Sequence, residues 1–175
     1  MIAALAWTVS YEETDVTRFL IASLVALGLF ATAGIGKGAV AAPDLRTVIV
    51  GHLDALNRGD VAAAMAYYAD DAESVGTASC TPACKKAGIE ADVRRGLAIK
   101  PTFTVVSLRE TQSGMGYGKA EVRSDAFRMC GVSRAVLNFT TVLVGDKIFR
   151  ETVDFDVRDA ETAKLAVCLA GGMMP

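Results

Sequence analysis

Apolar side chains recur every three or four residues in four parts of the chain, which is the spacing of a helix buried on one side. The pattern predicts four helices, over residues 45–58, 61–69, 85–98 and 158–169. Asp44 and Asp60 stand just before the first two helices and can accept hydrogen bonds from their free backbone N–H groups. His52 lies between Ile49 and Leu53 on the apolar side of the first helix, so we expect it to face the interior.

The second half of the chain is rich in β-branched and aromatic residues with turn residues between them, which is typical of strands. The pattern predicts five strands, over residues 73–75, 102–110, 117–129, 134–144 and 147–156. Gly145 and Asp146 form a two-residue hairpin turn between the last two. Because strands joined by hairpins pair antiparallel, the sequence predicts an α+β fold with an antiparallel sheet.

The N-terminal segment has the three parts of a secretory signal peptide. Arg18 precedes an unbroken apolar run over residues 19–33, and a small-residue cleavage pattern follows at Ala39-Val40-Ala41. We therefore expect residues 1–41 to be a signal peptide, residues 42–175 to be a single domain, and the protein to be secreted or periplasmic. An uncleaved membrane anchor is the alternative, although a membrane span needs about 20 apolar residues. Residues 1–15 contain three acidic residues, which a signal peptide avoids, so they indicate an over-extended start.

Composition limits the classes of partner. The 175 residues carry 18 basic and 20 acidic side chains, and the net charge is −2. Nucleic-acid binding needs a basic surface, so we expect no nucleic-acid partner, and no membrane partner once the signal peptide is cleaved. The single histidine, His52, excludes metal sites built from several imidazoles. We expect no cofactor and no metal.

The four cysteines suggest disulfides, because an exported protein folds in an oxidising compartment. Cys80 and Cys84, separated by Thr-Pro-Ala, predict a disulfide across a loop. Free thiols or a metal site are the alternatives for this pair, but no further ligands lie at a typical metal-site spacing. Cys130 and Cys168 either pair with each other or are small core residues.

Two sequence segments resemble the nuclear transport factor 2-like superfamily, also called SnoaL-like. Its opening helix, Gly-Asp turn and following strand resemble HLDALNRGDVAAAMAYYADDAESVG at residues 52–76, and its closing strand resembles VGDKIFRETVDFDVRDAETA at residues 144–163. The resemblance implies a nuclear transport factor 2-like or cystatin-like fold, in which N-terminal helices wrap a curved antiparallel sheet into a cone with an apolar cavity. The superfamily includes isomerases, cyclases, dehydratases, epoxide hydrolases and adaptors, so the fold implies no single chemistry.

The ketosteroid isomerases of this superfamily carry a tyrosine in the first helix, where this chain has His52. Their general-base aspartate would fall close to Gly76, and their second oxyanion donor near Asn138 or Phe139. Proton abstraction needs a base within hydrogen-bond reach, and neither carboxyl group is present. Steroid isomerisation is therefore not predicted.

The limonene-type epoxide hydrolases use an Asp-Arg-Asp relay that includes an R-x-D-x-x-R strand. Residues 123–128 resemble that strand, which makes Arg123 and Asp125 two candidate catalytic residues. The remaining aspartate falls at Val153, and Glu151 could replace it only after a shift of about 7 Å along the strand. The relay is therefore incomplete, and Arg123 and Asp125 are alternatively a solvated strand edge or a cross-strand pair.

The last predicted strand places a carboxylate among apolar groups. Glu151 alternates with Phe149, Val153 and Phe155, so all four share a face if the strand is regular. If that face lines the cavity opposite His52, the pKa of Glu151 should rise, and the two groups could do acid–base work on a small apolar molecule. The alternatives are an inert buried pair, or a Glu151 that points into solvent.

The predicted lining residues of the pocket are Tyr68, Phe149, Val153 and Phe155. Tyr68 is adjacent to Tyr67, so one of the two packs inside and the other lies near the surface. Three classes of function follow. The protein is an exported enzyme acting on a small hydrophobic molecule, a non-catalytic binder of such a molecule, or an interaction module that forms a homodimer through its sheet.

Overall fold

The computed structural model describes residues 44–76, 80–112 and 114–171, and the predicted signal peptide lies outside them. The helices are α1 (Leu45–Asn57), α2 (Val61–Met65), α3 (Lys86–Leu97) and α4 (Ala160–Ala170). The strands are β1 (Tyr68–Val75), β2 (Cys84–Lys85), β3 (Thr102–Gln112), β4 (Met115–Arg123), β5 (Arg134–Val144) and β6 (Lys147–Phe155). A short 3₁₀ helix, Asp125–Cys130, connects β4 to β5.

The strands form a curved, unclosed sheet in the order β2-β1-β6-β5-β4-β3. β3 to β6 pair as consecutive antiparallel neighbours, as the hairpin pattern predicts. β1 pairs antiparallel with β2 but parallel with β6. The parallel pair arises because β1 enters the sheet beside a strand that is distant in sequence, and no hairpin fixes its direction. The predicted α+β class with helices against a curved sheet is confirmed.

Helix α1 follows the sequence pattern closely. The Asp44 side chain accepts a hydrogen bond of 2.7 Å from the Thr47 N–H and caps the helix. At the other end, the Asn57 side chain both donates to the Phe103 carbonyl, at 2.9 Å, and accepts from the Phe103 N–H, at 2.6 Å. These two bonds fix the end of α1 to β3, so the apolar side of α1 faces the sheet.

The second helix is shorter than the sequence predicts. Its cap is the expected one, since the Asp60 side chain accepts from the Ala63 N–H at 2.9 Å. The helix ends at Met65, and Tyr68 already belongs to β1. The reason is pairing with β6, which begins with a hydrogen bond of 2.7 Å from the Ile148 N–H to the Tyr67 carbonyl. This non-local strand pairing overrides the helix propensity of the alanines.

The predicted strand over residues 117–129 also ends early. After β4 the Ser124 hydroxyl accepts a hydrogen bond from the Ala126 N–H and starts the 3₁₀ helix. Gly131, with φ of 65°, ends it in the left-handed conformation that glycine adopts without strain. The turn places Cys130 against α4.

Two disulfides join parts of the described chain. Cys80 bonds to Cys84, and Cys130 bonds to Cys168 of α4. Cys130 and Cys168 are buried with Phe127 and Leu165 in a core at one end of the sheet. The pairing of Cys130 with Cys168, which the sequence left open, thereby links α4 to the 3₁₀ helix between β4 and β5. None of the helices described is long and apolar enough to span a membrane.

Candidate functional site

A cavity of about 230 Å³ lies between the helices and the concave side of the sheet. Its walls come from α1, α3 and the strands, and most of its lining side chains are apolar. The apolar lining residues are Ile49, Leu53, Leu56, Val93, Gly96, Leu97, Pro101, Phe103, Ala120, Leu137, Phe139 and Val153. The polar ones are His52, Tyr68, Asp92, Thr141 and Glu151. The cavity therefore has the mixture typical of ligand pockets, an apolar volume with a few polar groups.

Glu151 is the centre of the polar groups. One of its carboxylate oxygens, Oε1, accepts a hydrogen bond of 2.5 Å from the Tyr68 hydroxyl and one of 3.1 Å from the Ser74 hydroxyl. Burial, followed by the negative charge of Glu151, raises the pKa of Tyr68 well above its usual value, so the phenol keeps its proton. Within the described part of the chain, no hydrogen bond reaches the other oxygen, Oε2, and no cationic side chain pairs with Glu151.

His52 lines the same cavity as Glu151 and is only 6% exposed. Its Nδ1 is 3.2 Å from the Ala64 carbonyl, which can only accept, so Nδ1 carries the hydrogen and Nε2 keeps its lone pair. The His52 ring also meets the Tyr68 ring edge-on, with centroids 5.2 Å apart. Burial lowers the pKa of His52, although the negative charge of Glu151 and the bond to Ala64 partly oppose this. The imidazole is therefore neutral at pH 7.

The charges at the cavity are negative. Glu151 and Asp92 both act on Tyr68 electrostatically, and the Asp92 carboxylate also lies 3.5 Å from the guanidinium group of Arg95, which is largely exposed. No lysine or arginine is found among the described residues that line the cavity. A neutral imidazole and carboxylate oxygens are hydrogen-bond or proton acceptors, so the cluster is suited to receive a proton or a donor group from a bound molecule.

Comparison with solved structures identifies the architecture, although no protein-family model and no curated protein matches the chain. AclR from Streptomyces galilaeus, a proposed hydroxylase, is 14% identical over 74% of this chain and 96% of that chain, with a TM-score of 0.53. A nuclear transport factor 2-like protein of unknown function from Cytophaga hutchinsonii is 15% identical over 65% and 90%, with a TM-score of 0.51. A proposed polyketide cyclase from Sinorhizobium meliloti is 14% identical over 62% and 94%, with a TM-score of 0.52.

The chain has the nuclear transport factor 2-like fold. At these identities the likeness shows the fold alone, because proteins that share this fold differ in activity.

Within this nuclear transport factor 2-like fold, the strand-face prediction for β6 is wrong at two positions. Glu151 and Val153 line the cavity, but Phe149 and Phe155 do not. The pairing of β5 with β6 shifts beside Phe149, because Leu143 pairs with Ile148 and Val142 with Arg150. The extra residue reverses which side chains face inward, as a bulge does, so Ile148 is buried in place of Phe149. Phe155 ends the strand beyond the cavity and is 38% exposed.

The two residues that resemble the epoxide hydrolase relay also lie outside the cavity. Arg123 donates to Glu121 at 2.7 Å, and Asp125 accepts from Arg128 at 3.1 Å. Both side chains are mostly exposed. The structure therefore does not bring Arg123 and Asp125 together with Glu151.

Three of the polar groups at the site were missed by the sequence analysis: Ser74, Asp92 and Thr141. Ser74 lies next to Glu151 because β1 and β6 are paired, and their register is Ser74 opposite Glu151. No local signal indicates that pairing. Asp92 had a usable signal, since it precedes Val93 and lies one turn before Gly96 on the inner side of α3.

We expect the imidazole of His52 to titrate below pH 6.5 in the folded protein. In the unfolded chain the imidazole takes up a proton near pH 6.5, whereas burial lowers its pKa in the folded protein. The unfolded state then binds more protons, so the free energy of unfolding falls as the pH drops below about 6.5. Because the chain has one histidine, a proton NMR titration of its Hε1 resonance measures this pKa directly. The protein unfolded in urea is the control, and a folded pKa at or above the unfolded one would contradict the prediction.

Proposed function

We propose that the protein binds a small, largely apolar molecule in the cavity and holds one polar group of that molecule against Glu151 and His52. The observation that carries the proposal is the distribution of polarity over the walls. Most of the cavity offers only apolar contact, while Glu151 and His52 both line it and both contact Tyr68. Apolar burial supplies affinity, and a few fixed polar groups supply orientation.

The same cluster supports acid–base chemistry as an extension of binding. A carboxylate held by two hydroxyl donors is fixed in position, and a neutral imidazole beside it can take up a proton. An enzyme of this kind would use Glu151 or His52 as a general base on the bound molecule. Solved structures with this fold include a proposed hydroxylase, a proposed ketosteroid isomerase and a proposed polyketide cyclase, which is compatible with either a binder or an enzyme.

We also propose that the protein is exported. The two disulfides of the described chain support this, because such bonds persist in oxidising compartments. The apolar segment and small-residue cleavage pattern near the N-terminus support it from the sequence.

Filling the cavity should weaken the binding of an apolar probe. We expect N-phenyl-1-naphthylamine, a neutral dye that fluoresces in apolar surroundings, to bind the wild-type protein. Val153→Phe adds volume inside the cavity and should weaken that binding by about tenfold or more, which is a change of about 1.4 kcal/mol. Fluorescence titration measures both affinities, and native mass spectrometry of protein from its own organism tests for a co-purified ligand.

Val157→Phe is the matched control for the cavity variant. It makes the same change of side chain at a position that is 62% exposed, outside the cavity. We expect it to bind the dye as the wild-type protein does. Equal dye affinity in the folded Val153→Phe protein would show that the cavity is not the binding site.

A further inference from the structure

The charge of the cavity restricts the ligand further than its shape does. Glu151 lines an apolar cavity, and among the described residues no cation neutralises it. Placing a charge in apolar surroundings is unfavourable unless it is paired or hydrogen-bonded. The two hydroxyl donors stabilise Oε1, but they leave Oε2 without a partner in the described chain. A molecule that brings a positive charge would complete this site.

His52 gives independent evidence of a ligand that donates hydrogen bonds. The His52 side chain is more than nine-tenths buried and lines the cavity. Its Nδ1 already donates a hydrogen bond to the Ala64 carbonyl. Nε2 therefore carries a lone pair for which the described residues supply no donor. A buried acceptor without a donor is uncommon in folded proteins, and it indicates that a bound molecule or water supplies the hydrogen.

The apolar walls include aromatic rings suited to a cation. Tyr68, Phe103 and Phe139 all line the cavity. The faces of aromatic rings attract ammonium groups, and the attraction grows when the cation is desolvated. The cavity thus combines aromatic rings, the carboxylate of Glu151 and the neutral acceptor Nε2 of His52. None of the described lining residues is a lysine or an arginine. This combination is complementary to a largely apolar molecule that carries an ammonium group.

We propose that the ligand of this cavity is an apolar amine bound in its protonated form, with the ammonium group donating to Oε2 of Glu151 and Nε2 of His52. This inference rests on the proposed function and names its ligand class. A neutral alcohol of the same shape loses the charge interaction with Glu151. A carboxylate of the same shape meets the like charge of Glu151, so its binding is disfavoured.

The test compares three naphthalenes that share an apolar ring system and differ in one group: 1-naphthylmethylammonium, 1-naphthalenemethanol and 1-naphthoate. Isothermal titration calorimetry at pH 7 with the full chain measures each affinity. We expect the ammonium compound to bind about tenfold or more tightly than the alcohol, because charge-assisted hydrogen bonds are stronger than neutral ones. We expect the carboxylate to bind more weakly than the alcohol.

A matched pair of variants assigns the preference to Glu151. Glu151→Gln removes the charge and should lower the affinity for the ammonium compound by about tenfold while changing that for the alcohol by less than about threefold. Glu90→Gln makes the same change on the surface of α3, where Glu90 pairs with Arg94, and should change neither affinity. In the wild-type protein, the Hε1 resonance of His52 should shift on addition of the ammonium compound. This shift would show that the compound binds next to His52, without the use of any variant.

The outcomes separate this inference from the proposed function. If the alcohol binds as tightly as the ammonium compound, the amine inference is overturned, and the binding of the neutral dye still supports an apolar ligand. An ammonium preference that survives in folded Glu151→Gln protein overturns the inference as well. If none of the three naphthalenes binds, the inference also fails, and the dye titration with Val153→Phe decides the proposed function separately.

Discussion

Replacing Cys130 and Cys168 together with alanine should lower the free energy of unfolding by about 4 kcal/mol. The bond closes a loop of 38 residues, and the loss of chain entropy on closing such a loop stabilises the folded state by about that amount. Alanine is the appropriate replacement because both positions are buried among apolar side chains, where serine would add an unsatisfied hydroxyl. A loss of this size is a large part of the 5–15 kcal/mol that typically stabilises a domain.

Urea denaturation of the oxidised proteins measures this loss, and the second disulfide is the internal control. Cys80 and Cys84 are only four residues apart, so the double alanine variant at this pair should lose about 2 kcal/mol in the same entropy model. The comparison keeps the chemical change constant and varies only the loop. Equal losses for the two double variants would contradict the prediction.

Glu151→Ala should lower the free energy of unfolding by about 3 kcal/mol, because it leaves two buried hydroxyls without their acceptor. Tyr68 and Ser74 are 3% and 2% exposed and both donate to Glu151. Each unsatisfied buried group costs about 1–3 kcal/mol. Adding Tyr68→Phe to this variant removes one of the two hydroxyls, so it should restore about 1 kcal/mol. In the wild-type protein the same Tyr68→Phe change should be destabilising.

A double-mutant cycle in urea measures this reversal of sign. Tyr67→Phe in the Glu151→Ala background is the neighbouring control, since Tyr67 lies outside the cavity and shares no hydrogen bond with Glu151. It should restore nothing. If Tyr68→Phe destabilises the Glu151→Ala protein as much as the wild-type protein, the hydroxyl is not held by Glu151.

The elements that depend on near neighbours in the chain were predictable. Helix α1 appears almost as its apolar spacing and Asp44 cap indicate, and β5 and β6 follow from their β-branched residues and the turn at Gly145. The inward position of His52 follows from the same helical spacing. In each case the signal lies within about one or two turns of helix or one hairpin, where propensity and periodicity act.

The polar cluster was predictable in part. Glu151, His52 and Tyr68 were candidates from the sequence, and all three line the cavity. Their arrangement was not predictable, because the bond from Tyr68 to Glu151 joins residues 83 positions apart. Ser74 was missed since only the parallel pairing of β1 with β6 sets it opposite Glu151.

The sequence by itself determined the α+β class, the order of most elements and which face of α1 is buried, since these depend on local periodicity and capping. The tertiary structure decided where local preference is overridden. Because β1 pairs with β6, Tyr68 belongs to a strand and not to the predicted helix. Because the β5–β6 register shifts beside Phe149, the side chain of Ile148 faces inward. The 3₁₀ turn before Gly131 set Cys130 against Cys168. The β1–β6 pairing and the Cys130–Cys168 bond depend on contacts between distant segments, whose free energies exceed the small propensity differences that a sequence pattern expresses. The shift beside Phe149 is a local irregularity, and a strict alternation of inward and outward side chains cannot express it.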